Sequence, residues 1–172
     1  KHSINLRRNY MSIVEIGGAY AHRFYKFLDF LELQTLVVTD LDSVKAERKK
    51  DKNDVERTSY PACLVSEGTH SSNAGISNWF GEEGYMDLTA IRGKNDGDKA
   101  KEKRRLSFQI PEEGDAACAR SFEDAFMLAN KKLFGIEEAE DASASEQSAF
   151  EMAQKIGTES KADFAIKYGI EE

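Results

Sequence analysis

The chain reads as an α/β fold: a parallel sheet flanked by helices, with a helical segment at the C-terminal end. Three patterns say so. Residues 11–16, Met-Ser-Ile-Val-Glu-Ile, form a short apolar run that stops at Gly17-Gly18, as a strand does. From Tyr20 onward Phe24, Phe27, Leu28 and Leu31 recur at helical spacing. Leu36-Val37-Val38-Thr39 is then an unbroken apolar run of the kind buried on both faces of a parallel sheet. Strand, helix and strand in this order make a βαβ unit with a right-handed crossover. The Phe24, Phe27 and Phe30 rings are expected in its core rather than as a surface for stacking bases.

The later elements follow from local chemistry. Residues 45–57 crowd Lys and Arg among Asp and Glu, a solvated loop with some capacity to touch DNA. Ala62-Cys63-Leu64-Val65 looks like a third strand. The stretch through Ile76 and Trp79 reads as a helix that Ser71, Ser72 or Asn73 can cap. A second charged loop spans Arg92 to Arg105. Leu106-Ser107-Phe108-Gln109-Ile110 alternates like an edge strand, and Pro111 ends it. Ser121 to Leu133 reads as a helix with Phe122, Ala125, Phe126 and Ala129 on one side. The spacing thus divides the chain into a main domain over 1–134, an acidic Ala/Ser-rich linker over 135–147 and a helical segment over 148–172, interrupted near Gly157.

Composition narrows the function. A chain of 172 residues can bury one substantial core. No apolar run approaches the ~20 residues needed to span a bilayer. The first apolar stretch is short and follows Arg7 and Arg8, so neither a membrane segment nor a secretory signal is expected. Cys63 and Cys118 have no CxxC pairing and no histidine at ligand spacing. They read as buried thiols in a reducing cytoplasm, not as a zinc site or a disulfide. A net charge of −7 argues against a protein basic over its whole surface. It leaves metal-dependent nucleases open, because bound cations reverse the field of a carboxylate cluster.

The second apolar run ends in Asp40-Leu41-Asp42. Ligands of open α/β sheets bind beyond the carboxyl ends of the strands. Alternation along a strand lets Asp40 and Asp42 project to one side and converge on one cation. The same two residues can also serve as plain turn-formers at a strand end.

The stretch IVEIGGAYAHRFYKFLDFLELQTLVVTDLDSV, followed in order by SSNAGISNW, RSFEDAF and SKADFAIKY, resembles the Toprim nuclease region of the OLD ("overcoming lysogenization defect") family of ATP-dependent DNA endonucleases. The resemblance implies a Toprim-like parallel sheet and hydrolysis of DNA phosphodiester bonds by two divalent metals, Mg²⁺ or Mn²⁺. Asp40 and Asp42 match the metal-holding DxD pair. Ser121 and Glu123 match the further metal positions in S-x-E. Lys161 is similar to the lysine that stabilises charge near the scissile phosphate, with Lys155 and Lys167 as nearby rivals. Without the resemblance, Glu123 simply suits the positive N-terminal end of its helix with Ser121 as cap, and Lys161 is a solvated lysine. The chemistry is coherent. Hard cations take carboxylate and water oxygens, paired metals activate water and neutralise the leaving oxygen, and a lysine offsets charge on a phosphoryl transition state.

The resemblance also implies partners: DNA, an N-terminal ABC-type ATPase domain through which ATP would act, and a second copy in a homodimer. This chain carries no GxxxxGK[ST] loop of its own. Toprim domains of this type begin with a strand ending in Glu-Gly well ahead of the DxD. Here 39 residues precede Asp40, the first residue is Lys1, and Glu15 corresponds to the second strand. The expectation is a Toprim region truncated at its N-terminus, one that holds metal weakly and cleaves poorly by itself.

Two other functions compete. LVVTDLDSV also fits hhhhDxDx[TV] of haloacid-dehalogenase-like phosphatases, with Asp40 as nucleophile and Asp42 as general acid. That family places this strand first, whereas a strand and a helix precede it here. The second is a non-catalytic Toprim-like interaction module. Glu83-Gly84-Tyr85-Met86-Asp87 spells the opening motif of primase Toprim domains, but it follows the DxD instead of preceding it.

Overall fold

The computed structural model describes residues 10–16, 19–111, 116–136, 142–156 and 161–170. In chain order it has α1 (Tyr25–Leu31), β1 (Thr35–Val38), β2 (Ser43–Val44), β3 (Glu47–Lys50), β4 (Glu56–Ser59) and β5 (His70–Ser71). Then come α2 (Ala74–Phe80), β6 (Met86–Asp87), α3 (Leu88–Arg92), β7 (Ala100–Lys101), β8 (Arg104–Ser107), α4 (Phe122–Ala129), α5 (Ala142–Lys155) and α6 (Lys161–Ile170). The architecture is mixed α/β with small sheets. β1 pairs in parallel with β8, running from Thr35↔Arg104 to Val38↔Ser107, and β8 pairs antiparallel with β7. β2, β5 and β6 form an antiparallel sheet, and β3 and β4 a hairpin.

The parallel partner of β1 therefore lies downstream, which corrects the βαβ unit expected from residues 11–16. Those residues join no strand ladder, and Ile13 is 84% exposed. An apolar run becomes a strand only where a neighbour accepts its backbone hydrogen bonds. Burial along β1 also alternates. Val37 faces the core, whereas Leu36 is 61% and Val38 73% exposed, so the sheet is covered on one face and not on both.

The phenylalanine stripe is corrected in the same way. A 3₁₀ turn at Tyr20–Phe24 precedes the seven residues of α1 and shifts the phase of its inward face. Tyr25 enters the core, and Phe24, Phe27 and Phe30 are exposed. The Tyr25 ring meets Trp79 edge-on at 5.3 Å, and its hydroxyl donates to the Gly75 carbonyl. The buried Arg104 guanidinium lies over both rings and pairs with Asp29 at 2.8 Å.

Other expectations change for local reasons. The charged segment 45–57 folds into the β3–β4 hairpin, whose strand residues are nearly all exposed. Ala62–Val65 makes a single bridge from Ala62 to Val44 instead of a strand. The chain then turns, with Glu67 N–H donating to Leu64 O and Gly68 N–H to Val65 O, which drops Leu64 and Val65 into the interior. Glycine suits position 68, since a Cβ there would stand 2.7 Å from Leu88 Cδ2, 3.1 Å from Ser43 Cβ and 3.3 Å from Leu64 O, and these neighbours would have to give way. The stretch expected as an edge strand from Leu106 begins at Arg104 and lies between β1 and β7. Glu83, in the primase-like motif, sits exposed beyond the end of α2.

Two apolar clusters organise the described residues. The first gathers Val37, Leu41, Ile76, Trp79, Leu106 and their neighbours under the sheet. Burying side chains such as Leu41 and Ile76 contributes about 1.5–3 kcal/mol each. The second joins Met127, Leu128, Ile136, Ala149 and Phe164 across α4, α5 and α6. On α4 the buried positions are Glu123, Asp124, Met127 and Leu128; of the face expected there Ala125 and Phe126 pack against this cluster, while Phe122 and Ala129 are exposed, which corrects that expectation in part. The acidic linker is corrected in part, because 142–147 are the first turns of α5. Residues 137–141 and the expected break at Gly157 lie outside the described residues. Among the described residues no helix is long and apolar enough to cross a membrane.

Candidate functional site

β1 delivers the acid pair. Thr39 N–H continues the ladder to Ser107 O at 3.0 Å, and Leu41, fully buried, anchors the loop in the core. Asp40 and Asp42 flank that anchor and stay half-buried at the surface. Asp42 adopts φ +48°, a left-handed conformation that Asp tolerates better than most residues. Gln109 grips the loop with both ends of its amide: Leu41 N–H donates to Oε1 at 2.7 Å, and Nε2 donates to Asp40 Oδ1 at 2.6 Å. Asn73 Nδ2 reaches Asp42 Oδ2 at 3.1 Å. Arg120 Nη2 lies 3.4 Å from Asp42 Oδ1.

The Ser-Phe-Glu turn stands beside this loop. Asp42 N–H donates to the Arg120 carbonyl at 2.9 Å, joining the two segments through the backbone. Ser121 caps α4 in a capping box that Asp124 closes, with Ser121 N–H donating to Asp124 Oδ1 at 2.8 Å. The Ser121 hydroxyl also donates to Glu123 Oε2 at 2.8 Å. Glu123 is buried, and Lys161 Nζ from α6 pairs with its Oε1 at 2.9 Å. Lys167, a sequence rival for that role, lies instead over the Tyr168 ring. Asp40 and Asp42 thus adjoin the turn that carries Ser121 and Glu123, and Lys161 reaches Glu123.

Crowding sets the electrostatics. Burial pushes the Asp40 carboxyl above the usual range; the Gln109 hydrogen bond opposes this, and the negative charges of Asp42, Glu123 and Asp124 add to it. Burial pushes Glu123 upward as well. The Lys161 ammonium, its own backbone amide and the Ser121 hydroxyl outweigh that and hold it below the usual range. Burial above all, and the neighbouring carboxylates after it, thus disfavour the Asp40 anion, and a divalent cation, which takes hard oxygen donors, would offset both. Among the described residues no three His, Cys, Asp or Glu side chains converge closely enough to cage one. A cation held by the acid pair would complete its shell with water or phosphate oxygens, as Mg²⁺ commonly does.

Sequence reasoning missed four participants. Asn73 appeared there only as one of three possible caps, and Gln109 as an alternating strand residue. Arg120 and Asp124 were passed over beside Ser121 and Glu123. Gln109 lies beyond the end of β8 and off the inward register of Arg104, Leu106 and Phe108, so its place in the sequence does not announce that it meets the acid pair. Nothing local announces that Asn73 reaches across to Asp42.

The family model of the TOPRIM domain of proteins like the overcoming lysogenization defect protein matches residues 1–42. The match ends on Asp42, so it takes in the acid pair but not Ser121, Glu123 or Lys161. No curated protein and no solved structure matches the chain. Toprim domains are in general metal-binding, nucleic-acid-processing domains, and over this first part the chain is similar to the Toprim region of OLD-like proteins.

Proposed function

We propose that the chain is the divalent-metal-dependent DNA endonuclease region of an ATP-dependent nuclease. In this reading Asp40 and Asp42 would hold Mg²⁺ or Mn²⁺, and Ser121 and Glu123 would serve a second ion. Bound there, such ions supply an activated water and charge neutralisation at phosphate. The chain's own groups prepare the site. Gln109 and Asn73 orient the two aspartates, Lys161 keeps Glu123 ionised within its buried setting, and Arg120 balances Asp42. Lys161 is also the group placed to meet the negative charge of a reacting phosphate. The same reading gives the chain DNA as a partner, an ABC-type ATPase domain as the source of ATP dependence, a homodimeric state and a cytoplasmic location.

The observation that carries the proposal is the Asp42–Arg120 backbone hydrogen bond, which brings the acid pair and the Ser121–Glu123 turn to one place. The test is nicking of supercoiled plasmid across a Mn²⁺ and Mg²⁺ titration, by the protein with and without Asp42→Ala, together with its ATPase domain where the two share a polypeptide. Metal-dependent nicking that Asp42→Ala abolishes is the expected result, and full activity in that variant overturns the assignment. Turnover of p-nitrophenyl phosphate with beryllofluoride trapped on Asp40 would replace it with the phosphatase. Inertness toward DNA at every metal concentration would leave the interaction module.

A further inference from the structure

We propose that Asn73 is the positioning residue of the acid pair, an inference that rests on reading Asp40 and Asp42 as cation ligands. Asn73 is 2% exposed, and its side chain uses both ends of its amide. Its Oδ1 accepts from Gly75 N–H at 2.9 Å and Ile76 N–H at 3.2 Å, capping α2. Its Nδ2 faces three acceptors: Thr39 Oγ1 at 2.9 Å, the Asp40 carbonyl at 2.8 Å and Asp42 Oδ2 at 3.1 Å.

The orientation of this amide is forced. Flipping it would aim Oδ1 at a carbonyl and a carboxylate, and Nδ2 at two backbone N–H groups, leaving only the Thr39 hydroxyl able to adapt by donating. One neutral group therefore ties the start of the Asp40–Asp42 loop to its end and fixes both to the first turn of α2. The Ser72 N–H and hydroxyl reinforce the attachment by donating to Asp42 O at 3.0 and 3.2 Å. With Asp42 at φ +48°, the loop is held in a conformation that Asp seldom adopts, and the Asn73 contacts fall on Asp42 itself and on the two residues Thr39 and Asp40 ahead of it.

Charge explains why an amide suits this place. Arg120 also contacts Asp42, but as a cation it competes with any metal ion for the same carboxylate. Asn73 orients Oδ2 without adding positive charge, so its hold can persist when a cation arrives. An ordinary capping residue needs only the acceptor half of this arrangement. The donor half, spent wholly on the acid-pair loop, is what a cap alone does not explain.

The two halves can be separated. Ser is as good a helix cap as Asn, but it is too short to reach Asp42. Asn73→Ala loses both functions and Asn73→Ser loses only the donor. Melting temperature of the metal-free protein and Mn²⁺ affinity by titration calorimetry read them independently. Asn73→Ser is expected to recover the capping share of the melting temperature that Asn73→Ala loses, while both bind Mn²⁺ about ten-fold more weakly than the parent chain. Recovery of Mn²⁺ affinity in step with melting temperature would make Asn73 a cap and overturn the proposal.

Gly75→Ala supplies a second probe that keeps the amide intact. A Cβ at 75 would press on Asn73 Oδ1 from 3.0 Å, while Ala favours the helix. Weaker Mn²⁺ binding without a lower melting temperature is expected, and unchanged binding counts against the proposal. Asp42→Ala serves as the control. Parent-like Mn²⁺ affinity in Asp42→Ala overturns the acid-pair reading itself. Loss of affinity in Asp42→Ala with parent-like affinity in Asn73→Ser overturns only the role of Asn73.

Discussion

Lys161 Nζ sits 2.9 Å from Glu123 Oε1, tying the first turn of α6 to the first turn of α4. The carboxylate is buried and the lysine half-exposed, so the pair is asymmetric. Removing the lysine would leave a buried anion without its cation, whereas removing the carboxylate would merely free a solvated ammonium. Glu123 is held below its ordinary range by contacts that outweigh burial, so the sign is fixed. A depressed carboxyl contributes stability above the unfolded-state pKa, and that stability is lost as pH falls through the lower folded value. Lys161→Met is expected to raise the Glu123 carboxyl, because burial is then opposed only by its own backbone amide and the Ser121 hydroxyl. It should cost about 1–3 kcal/mol at neutral pH. Carboxyl carbon shifts followed by NMR through an acid titration check the first statement, and urea unfolding the second.

Asp40 has the opposite sign. Its folded pKa lies above the ordinary 3.8, so the native state holds more protons than the unfolded chain just above that value. Stability therefore falls as pH rises from 3.8 through the folded pKa, and the cost persists at neutral pH. Asp40→Asn keeps an oxygen for Gln109 to donate to and removes the ionisation. The metal-free variant is expected to melt higher than the parent at neutral pH, with the advantage vanishing below pH 3.8. Added Mn²⁺ should raise the melting temperature of the parent and not of the variant, since only a state that binds the ion gains from it. A variant that melts lower than the parent in EDTA would contradict the crowding around Asp40.

How far the sequence disclosed this site depends on the range over which each contact acts. Asp40 and Asp42 were legible because an apolar run followed at once by two acids is a local pattern. The cap at Ser121 was legible for the same reason, although Asp124 rather than Glu123 closes the box. The partner of β1 was not legible. Arg104-Arg105 opens β8, and two adjacent cations read as a loop until Tyr25, Trp79 and Asp29 are known to enclose the first of them. Residues 11–16 misled in the reverse direction, since apolar content marks a strand only when a neighbouring backbone is present to pair with it.

The cysteines give a further test. Burial lifts the Cys118 thiol to about 11 and raises Cys63 as well, so both are weak nucleophiles near neutral pH. Both are free thiols, Cys118 buried and Cys63 half-buried. The folded protein at pH 8 is expected to react slowly with Ellman's reagent, and the urea-unfolded chain to release two thiolates rapidly. Rapid reaction of Cys118 in the folded state would contradict its place in the first apolar cluster.

Adjacent valines on β1 offer the sharpest check of the sheet. Val37 is 8% exposed and packs in the first core cluster, while Val38 points away and is 73% exposed. Threonine has nearly the shape and strand preference of valine. The two substitutions therefore differ only in where they put a hydroxyl. Val37→Thr places it among apolar side chains and is expected to cost about 1–3 kcal/mol. Val38→Thr leaves it in water and should stay within about 0.5 kcal/mol of the parent. Urea midpoints at an unchanged m-value measure both. Equal costs would mean that both faces of β1 are covered, as the unbroken apolar run first implied; a large cost at Val38 alone would mean that β1 is turned over in the sheet.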